Sequence, residues 1–308
     1  MINMHSIIGS NVRRAAVAVF VVGAATVIAA QGGGRGPADH PAVTVGGKVY
    51  TPASILSRNM GTDEDQTTAF PPYKIIGNVY YVGTRTLSAF LIVTPAGNIL
   101  MDSTYERNVP VIQKSIEQLG FKFSDTKILL GNHAHNDHME GDAAVKAATG
   151  AQVMAMAEDL PALKALKPGG KEHPIDRTLH DGDVVTLGGT TLTAHWTPGH
   201  TRGATTWTMT ATDGGKSYAV VFFSSLRAGG AITPDIEKEL DRSFALVRKL
   251  PCDVPLGDHP AQFDMTTKVG LVKTSKTNPF VDKVHCLVEA DVQEAMYHAV
   301  VAEQLAAK

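Results

Sequence analysis

Two cysteines among 308 residues cannot build a zinc finger or a disulfide-dense scaffold, so any metal site in this chain must come from histidine and carboxylate. Basic excess is also missing. The 28 Lys+Arg against 30 Asp+Glu leave a formal net charge of −2, which argues against a nucleic-acid partner. Charged residues make up 19% and hydrophobic residues 44%, too apolar a balance for disorder. The uncharged run Ala15–Ala30 is sixteen residues long, short of the about 20 that span a bilayer. What the chain does hold is histidine, twelve in all.

Arg13 and Arg14 precede that run, and it ends in the small residues Val27-Ile28-Ala29-Ala30. A basic start, a short apolar stretch and a small-residue end read as a secretory signal over residues 1–30. The arginine pair leaves the export route open between general and twin-arginine secretion. The expected destination is the periplasm or the medium, with no stable membrane span after signal cleavage. Residues 31–71 begin with Gln31-Gly32-Gly33-Gly34-Arg35-Gly36-Pro37 and are expected to be a flexible N-terminal segment. Residues 72–308 then form one domain. In an oxidising compartment Cys252 and Cys286 become natural partners for a disulfide.

Short strands are expected at Val79–Val82, Phe90–Val93 and Ile99–Met101, then a helix with Val109, Ile112, Ile116 and Leu119 on one face. A buried strand follows at Ile128–Leu130, and Asp142 is expected to cap a short helix closed by Gly150. The second half repeats this order. Strands read at Val184–Leu187, Thr190–Trp196, Ala204–Thr210 and Ala219–Phe223. Thr233-Pro234-Asp235 opens a long helix, and the last helix carries Val288, Val292, Met296, Ala299 and Val300 at helical spacing. Strands then helix, twice over, predict an α/β domain of two sheets between helices.

The chemistry concentrates in Asn132-His133-Ala134-His135-Asn136-Asp137-His138. An extended segment would project His133, His135 and Asp137 to one side and His138 elsewhere. Imidazoles crowded this closely gain little in an apolar core, since each ring nitrogen needs a partner. Two further histidines follow strands, His200 after Thr197-Pro198-Gly199 and His259 after Gly257-Asp258. The Pro-Gly pair makes a tight turn that lets the backbone approach closely.

H-x-H-x-D-H, a histidine after T-P-G and a late histidine resemble the metallo-β-lactamase superfamily over roughly residues 72–300. Gly77–Gly83, Leu179–Asp183, Gly257–Pro260 and Asn278–Phe280 resemble the third subclass of class B metallo-β-lactamases. The resemblance implies a four-layer αββα sandwich and two zinc ions per chain. One ion would take His133, His135 and His200, the other Asp137, His138 and His259. A hydroxide shared by the two ions would open the β-lactam ring amide and confer antibiotic resistance, with Asp137 orienting the water. A disulfide like Cys252–Cys286 and a monomeric enzyme are implied as well.

Thioesterases and lactonases of the superfamily carry a bridging Asp at the end of a late strand. Here Val220–Phe223 runs into Ser224-Ser225-Leu226, and Ser225 stands where that Asp is expected. This favours a lactamase, with Ser225 and Arg227 as candidates to hold a substrate carboxylate. The competing readings are a lactone, thioester or phosphoester hydrolase on the same fold, and a noncatalytic zinc-binding protein.

Overall fold

The computed structural model describes residues 43–45, 47–50, 61–228 and 232–306. The expected signal (1–30) and glycine-rich tail lie outside them, as do the side chains of Met296, Ala299 and Val300. Strands β1 (Val43–Val45) and β2 (Lys48–Tyr50) form a small antiparallel pair. Within the segment expected to be flexible, Thr62 caps a short helix α1 (Asp63–Thr67), whose Asp65 and Asp63 pair with Arg85 and Arg107.

Seven strands make the first sheet: β3 (Tyr73–Ile76), β4 (Val79–Tyr81), β5 (Phe90–Thr94), β6 (Gly97–Met101), β7 (Thr126–Leu130), β8 (Gln152–Met156) and β9 (Arg177–Leu179). Neighbours β3 to β6 pair antiparallel and β6 to β9 parallel. The second sheet has five: β10 (Val184–Leu187), β11 (Thr190–Trp196), β12 (Thr205–Asp213), β13 (Lys216–Phe223) and β14 (Val254–Gly257). Only its last pair, β13 and β14, runs parallel.

Continuous apolar runs such as Phe90–Val93 and Val220–Phe223 arise because each sheet is covered on both faces. Side chains alternate across a strand. Phe90, Ile92, Ile128, Leu130, Val220 and Phe222 therefore enter the core between the sheets. Leu91 and Leu129 face outward onto helices α2 (Val109–Gln118) and α4 (Asp142–Thr149) through Ile112, Ile116 and Val145. Val221 and Phe223 pack outward onto α6 (Pro234–Val247) and α8 (His285–Ala306) through Leu240, Phe244 and Tyr297. Helix, sheet, sheet, helix gives the four layers expected. Between α2 and α4 lies α3 (Asn136–Met139); α5 (Leu160–Ala165) follows β8, and α7 (Met265–Leu271) follows β14. Among the described residues no helix is long and apolar enough to cross a membrane.

Asp142 differs from expectation. It is the first residue of α4 and makes no cap. Its buried carboxylate accepts from Ser103 Oγ at 2.6 Å and lies 3.1 Å from His173 Nε2, so the oxygens that would cap the helix are taken by tertiary partners. The helix after Thr233 forms as expected, with the Thr233 hydroxyl accepting from the Ile236 amide at 3.3 Å.

Candidate metal centre

Strand ends from both sheets meet at one rim of the sandwich. β6 and β7 finish side by side (Met101 opposite Leu130), and so do β13 and β14 (Phe223 opposite Gly257). The Thr205 amide donates to the Asn132 carbonyl at 2.7 Å, joining the two sheets there. Loops after β7, β11 and β14 carry all six expected metal ligands.

After β7 the chain is irregular to His135 and then turns into α3, four residues long. That turn changes one expectation. His138 does not point away; a helical step rather than an extended one swings it back beside Asp137. His133 and His138 rings lie 4.2 Å apart, His133 and His200 4.6 Å, and His138 and His259 5.0 Å, centroid to centroid. His200 arrives on the Pro198-Gly199 turn, where Gly199 has φ 131° and a Cβ would come within 2.4 Å of Leu240. Only glycine fits so close an approach.

Potential ligand atoms of His133, His135 and His200 lie within 4.8 Å of one another, and so do those of Asp137, His138 and His259. A third group meets the same limit: His133, His138 and Asp258. Nε2 of His133 is buried without a hydrogen-bond partner, which is costly in an interior unless a ligand fills the place. Imidazoles with one carboxylate suit a divalent transition metal. The residues fit a metal.

Burial pushes His133 down to about 3 and, with the neighbouring imidazoles, holds His200 well below the ordinary value. His135 and His259 are lowered by burial too. Imidazoles that stay neutral are ready to ligate. Burial works against charge on His138 as well. The Asp137 charge, the hydrogen bonds to Asp102 and Asp137 and the Asp258 charge together outweigh it and raise that histidine well above the ordinary value. Asp137 is driven the other way: burial opposes ionisation, but His138, His259 and His133 keep it a carboxylate.

The candidate ligands are held from behind. His200 Nδ1 lies 3.0 Å from the Arg227 carbonyl and His259 Nδ1 3.0 Å from the Thr86 carbonyl. His138 Nδ1 is 3.3 Å from Asp102, and His133 Nδ1 is 3.3 Å from Asp258. Asp102, at φ 60°, also accepts from the Asn132 amide at 2.9 Å. Its left-handed backbone stores strain at the centre, and burial lifts it to about 6. Asp159 accepts from the Ala134 amide (2.9 Å), the Thr201 hydroxyl (2.8 Å) and the Gly203 amide (2.7 Å), tying the His133 loop to the His200 loop. Sequence reasoning missed all three aspartates. The available signal was an acid just beyond an apolar strand.

Ser225 follows β13, as expected, but it is only 2% exposed. Its hydroxyl donates to Asp258 Oδ1 at 3.2 Å and its amide to Oδ2 at 2.8 Å. The hydroxyl expected to hold a substrate carboxylate is engaged with Asp258 Oδ1. Arg227 is half-buried, and its charge reaches the site, helping to depress His200. Of the discounted histidines, His195 bonds Thr208 at 2.8 Å and His285 the Gln262 carbonyl at 2.8 Å. Cys252 and Cys286 are disulfide-bonded.

Residues 82–211 match the model of the metallo-β-lactamase superfamily. The native FEZ-1 metallo-β-lactamase from Legionella gormanii is 42% identical, covering 77% of this chain and 98% of that one, with a TM-score of 0.73. BJP-1, a subclass B3 metallo-β-lactamase of Bradyrhizobium japonicum, is 36% identical over 79% of this chain and 98% of its own, with a TM-score of 0.73. Curated relatives point elsewhere. A hydroxyacylglutathione hydrolase of Rhodospirillum rubrum is 34% identical over 125 residues, and one of Methylobacterium nodulans 36% over 89. The chain spans only 40% and 30% of those two proteins. With its four layers, its paired ligand sets and near-complete coverage of subclass B3 enzymes, this chain belongs to the metallo-β-lactamase superfamily.

Proposed function

We propose that the chain is an exported hydrolase that opens the amide of a β-lactam ring with two zinc ions. The observation that carries the reading is the pair of three-residue sets, His133/His135/His200 and Asp137/His138/His259, on a fold whose 42% identical neighbour is a β-lactamase. Zinc at such sets supplies a water ionised near neutral pH and a Lewis acid for the carbonyl. The protein's share is positional. The imidazoles of His133, His135 and His200 would hold one ion, Asp137 with His138 and His259 would hold the second, and the Arg227 charge would attract the substrate carboxylate. Signal cleavage near residue 30, a periplasmic or secreted location and a monomeric state complete the reading. The Cys252–Cys286 bond supports the compartment.

Thioester hydrolysis is the second reading. It is favoured by the hydroxyacylglutathione hydrolase relatives and by the Asp258 carboxylate beside His133 and His138. One assay separates the two: purified protein with a carbapenem, a chromogenic cephalosporin and a glutathione thioester, each with and without chelator. Chelator-sensitive ring opening with little thioester cleavage is expected. Rapid thioester cleavage without ring opening would overturn the assignment.

A further inference from the structure

Asp258 is fully buried one residue before His259, on the loop that leaves β14. A carboxylate in such a place is costly unless every lone pair is answered. Here Oδ2 receives the Ser225 amide at 2.8 Å and lies 3.3 Å from His133 Nδ1, while Oδ1 receives the Ser225 hydroxyl at 3.2 Å. Gln262 closes the ring. Its Nε2 donates to Ser225 Oγ at 3.4 Å and its Oε1 accepts from the His259 amide at 3.0 Å. The Asp258 backbone is fixed as well, its amide donating to Phe223 and its carbonyl accepting from Ser88.

The ligand histidines are backed unequally. His200 and His259 lean on backbone carbonyls, whereas His133 and His138 lean on carboxylates, Asp258 and Asp102. A carbonyl behind an imidazole fixes its tautomer and orientation. A carboxylate does that and also makes the opposite nitrogen a stronger donor. With a proton on Nδ1, the orphaned Nε2 of His133 is its free lone pair, and His133 shares a candidate ligand set with His135 and His200. Ser224 Oγ, 3.3 Å from the same Nδ1, is neutral and cannot replace the charge.

We infer that Asp258 is the positioning residue of the His133/His135/His200 set, and that Ser225 serves to hold Asp258 rather than to bind substrate. This rests on the metal-centre reading. Asp258 touches no substrate. Its effect runs through the His133 ring, and its pairing with Ser225 and Gln262 ties both ligand sets to one buried network.

The experiment is metal titration of the metal-free full chain, with zinc read by competition against a chromophoric chelator and cobalt by its visible absorption. Asp258→Asn keeps size and shape but removes the charge; Asp258→Ala removes the acceptors altogether. Both are also made in a His259→Ala background, where only the first set is complete. There Asp258→Asn is expected to weaken binding roughly 10-fold and Asp258→Ala roughly 100-fold. A proton resonance from His133 Nδ1–H, present in the parent, should be lost from its downfield position in both variants. If Asp258→Ala fails to fold, Asp258→Asn still decides. Unchanged affinity and an unmoved resonance in Asp258→Asn, in a parent that binds metal, overturn this inference alone. A parent that binds no zinc or cobalt overturns the metal-centre reading, and this inference falls with it.

Discussion

Removing the Cys252–Cys286 bond tests how much of this fold's stability comes from a covalent tie. The two cysteines are 34 residues apart in sequence. In the chain-entropy model a closed loop of that size removes about 12–13 cal/mol/K from the unfolded ensemble, or about 4 kcal/mol at 25 °C. The native side supports full transmission of that value. Cys252 precedes β14 and packs with the outer core of the second sheet, and Cys286 lies in the first turn of α8. Both ends are therefore anchored in packed elements, and opening the bond frees no local slack in the native state. For a domain of this size the loss corresponds to a fall in melting temperature of roughly 8–16 °C. The assay is urea unfolding of the oxidised parent, the reduced parent and the Cys252→Ala/Cys286→Ala variant at fixed metal concentration. Reduced parent and variant should unfold at matching, lower midpoints with unchanged slope. Because β14 leads directly into Asp258 and His259, amide exchange over Val254–Gly257 should quicken in both. A loss below about 1 kcal/mol in both forms would refute the reasoning, since it would mean the unfolded chain is already restrained where the bond would act.

His285 provides a pH test. Burial, then the Lys268 charge, push it down to about 4, against about 6.5 in an unfolded chain. The native state stays neutral while the unfolded state takes up a proton, so stability is complete above about pH 6.5 and falls as pH drops towards 4. The loss reaches roughly 3 kcal/mol. His285→Gln should flatten that part of the urea-midpoint profile, and parallel profiles would count against the assignment. Asp159→Ala would strand the Ala134 and Gly203 amides in a site where the acid is 3% exposed. At about 1–3 kcal/mol for each orphaned donor, unfolding free energy should fall by about 2–6 kcal/mol. Hydrolytic rate should fall with it as the His200 loop loosens, and a variant with parental stability would refute the role.

The sandwich was legible because its strands have to be apolar on both faces, which leaves runs such as Ile128–Leu130 and Val220–Phe223 that surface strands do not show. Four of the six expected ligands stand out because His133, His135, Asp137 and His138 fall within six residues, whereas His200 and His259 join the set only through the family resemblance. His138 was misdirected because α3, at four residues, is too short to write a helical period into the sequence. The backing acids were hidden for a different reason. Asp102 acts on Asn132, Asp159 on Gly203 and Asp258 on Ser225, partners 30, 44 and 33 residues away. An acid after a strand looks the same whether it caps a turn or supports an imidazole. Ser225 makes the point about function. A serine in place of an expected acid at the end of β13 argues for a lactamase only if no other acid enters that space. But β13 and β14 run parallel with Phe223 opposite Gly257, so the chain leaving β14 emerges beside the chain leaving β13. The first residue out of β14 is Asp258. The choice between β-lactam and thioester chemistry thus depends on whether that carboxylate stays behind His133 or reaches a metal. In this structure the segment after β13 holds Asp258 through the amide and hydroxyl of Ser225, with Oδ2 3.3 Å from His133 Nδ1, and the assay against β-lactams and a glutathione thioester decides between the two chemistries.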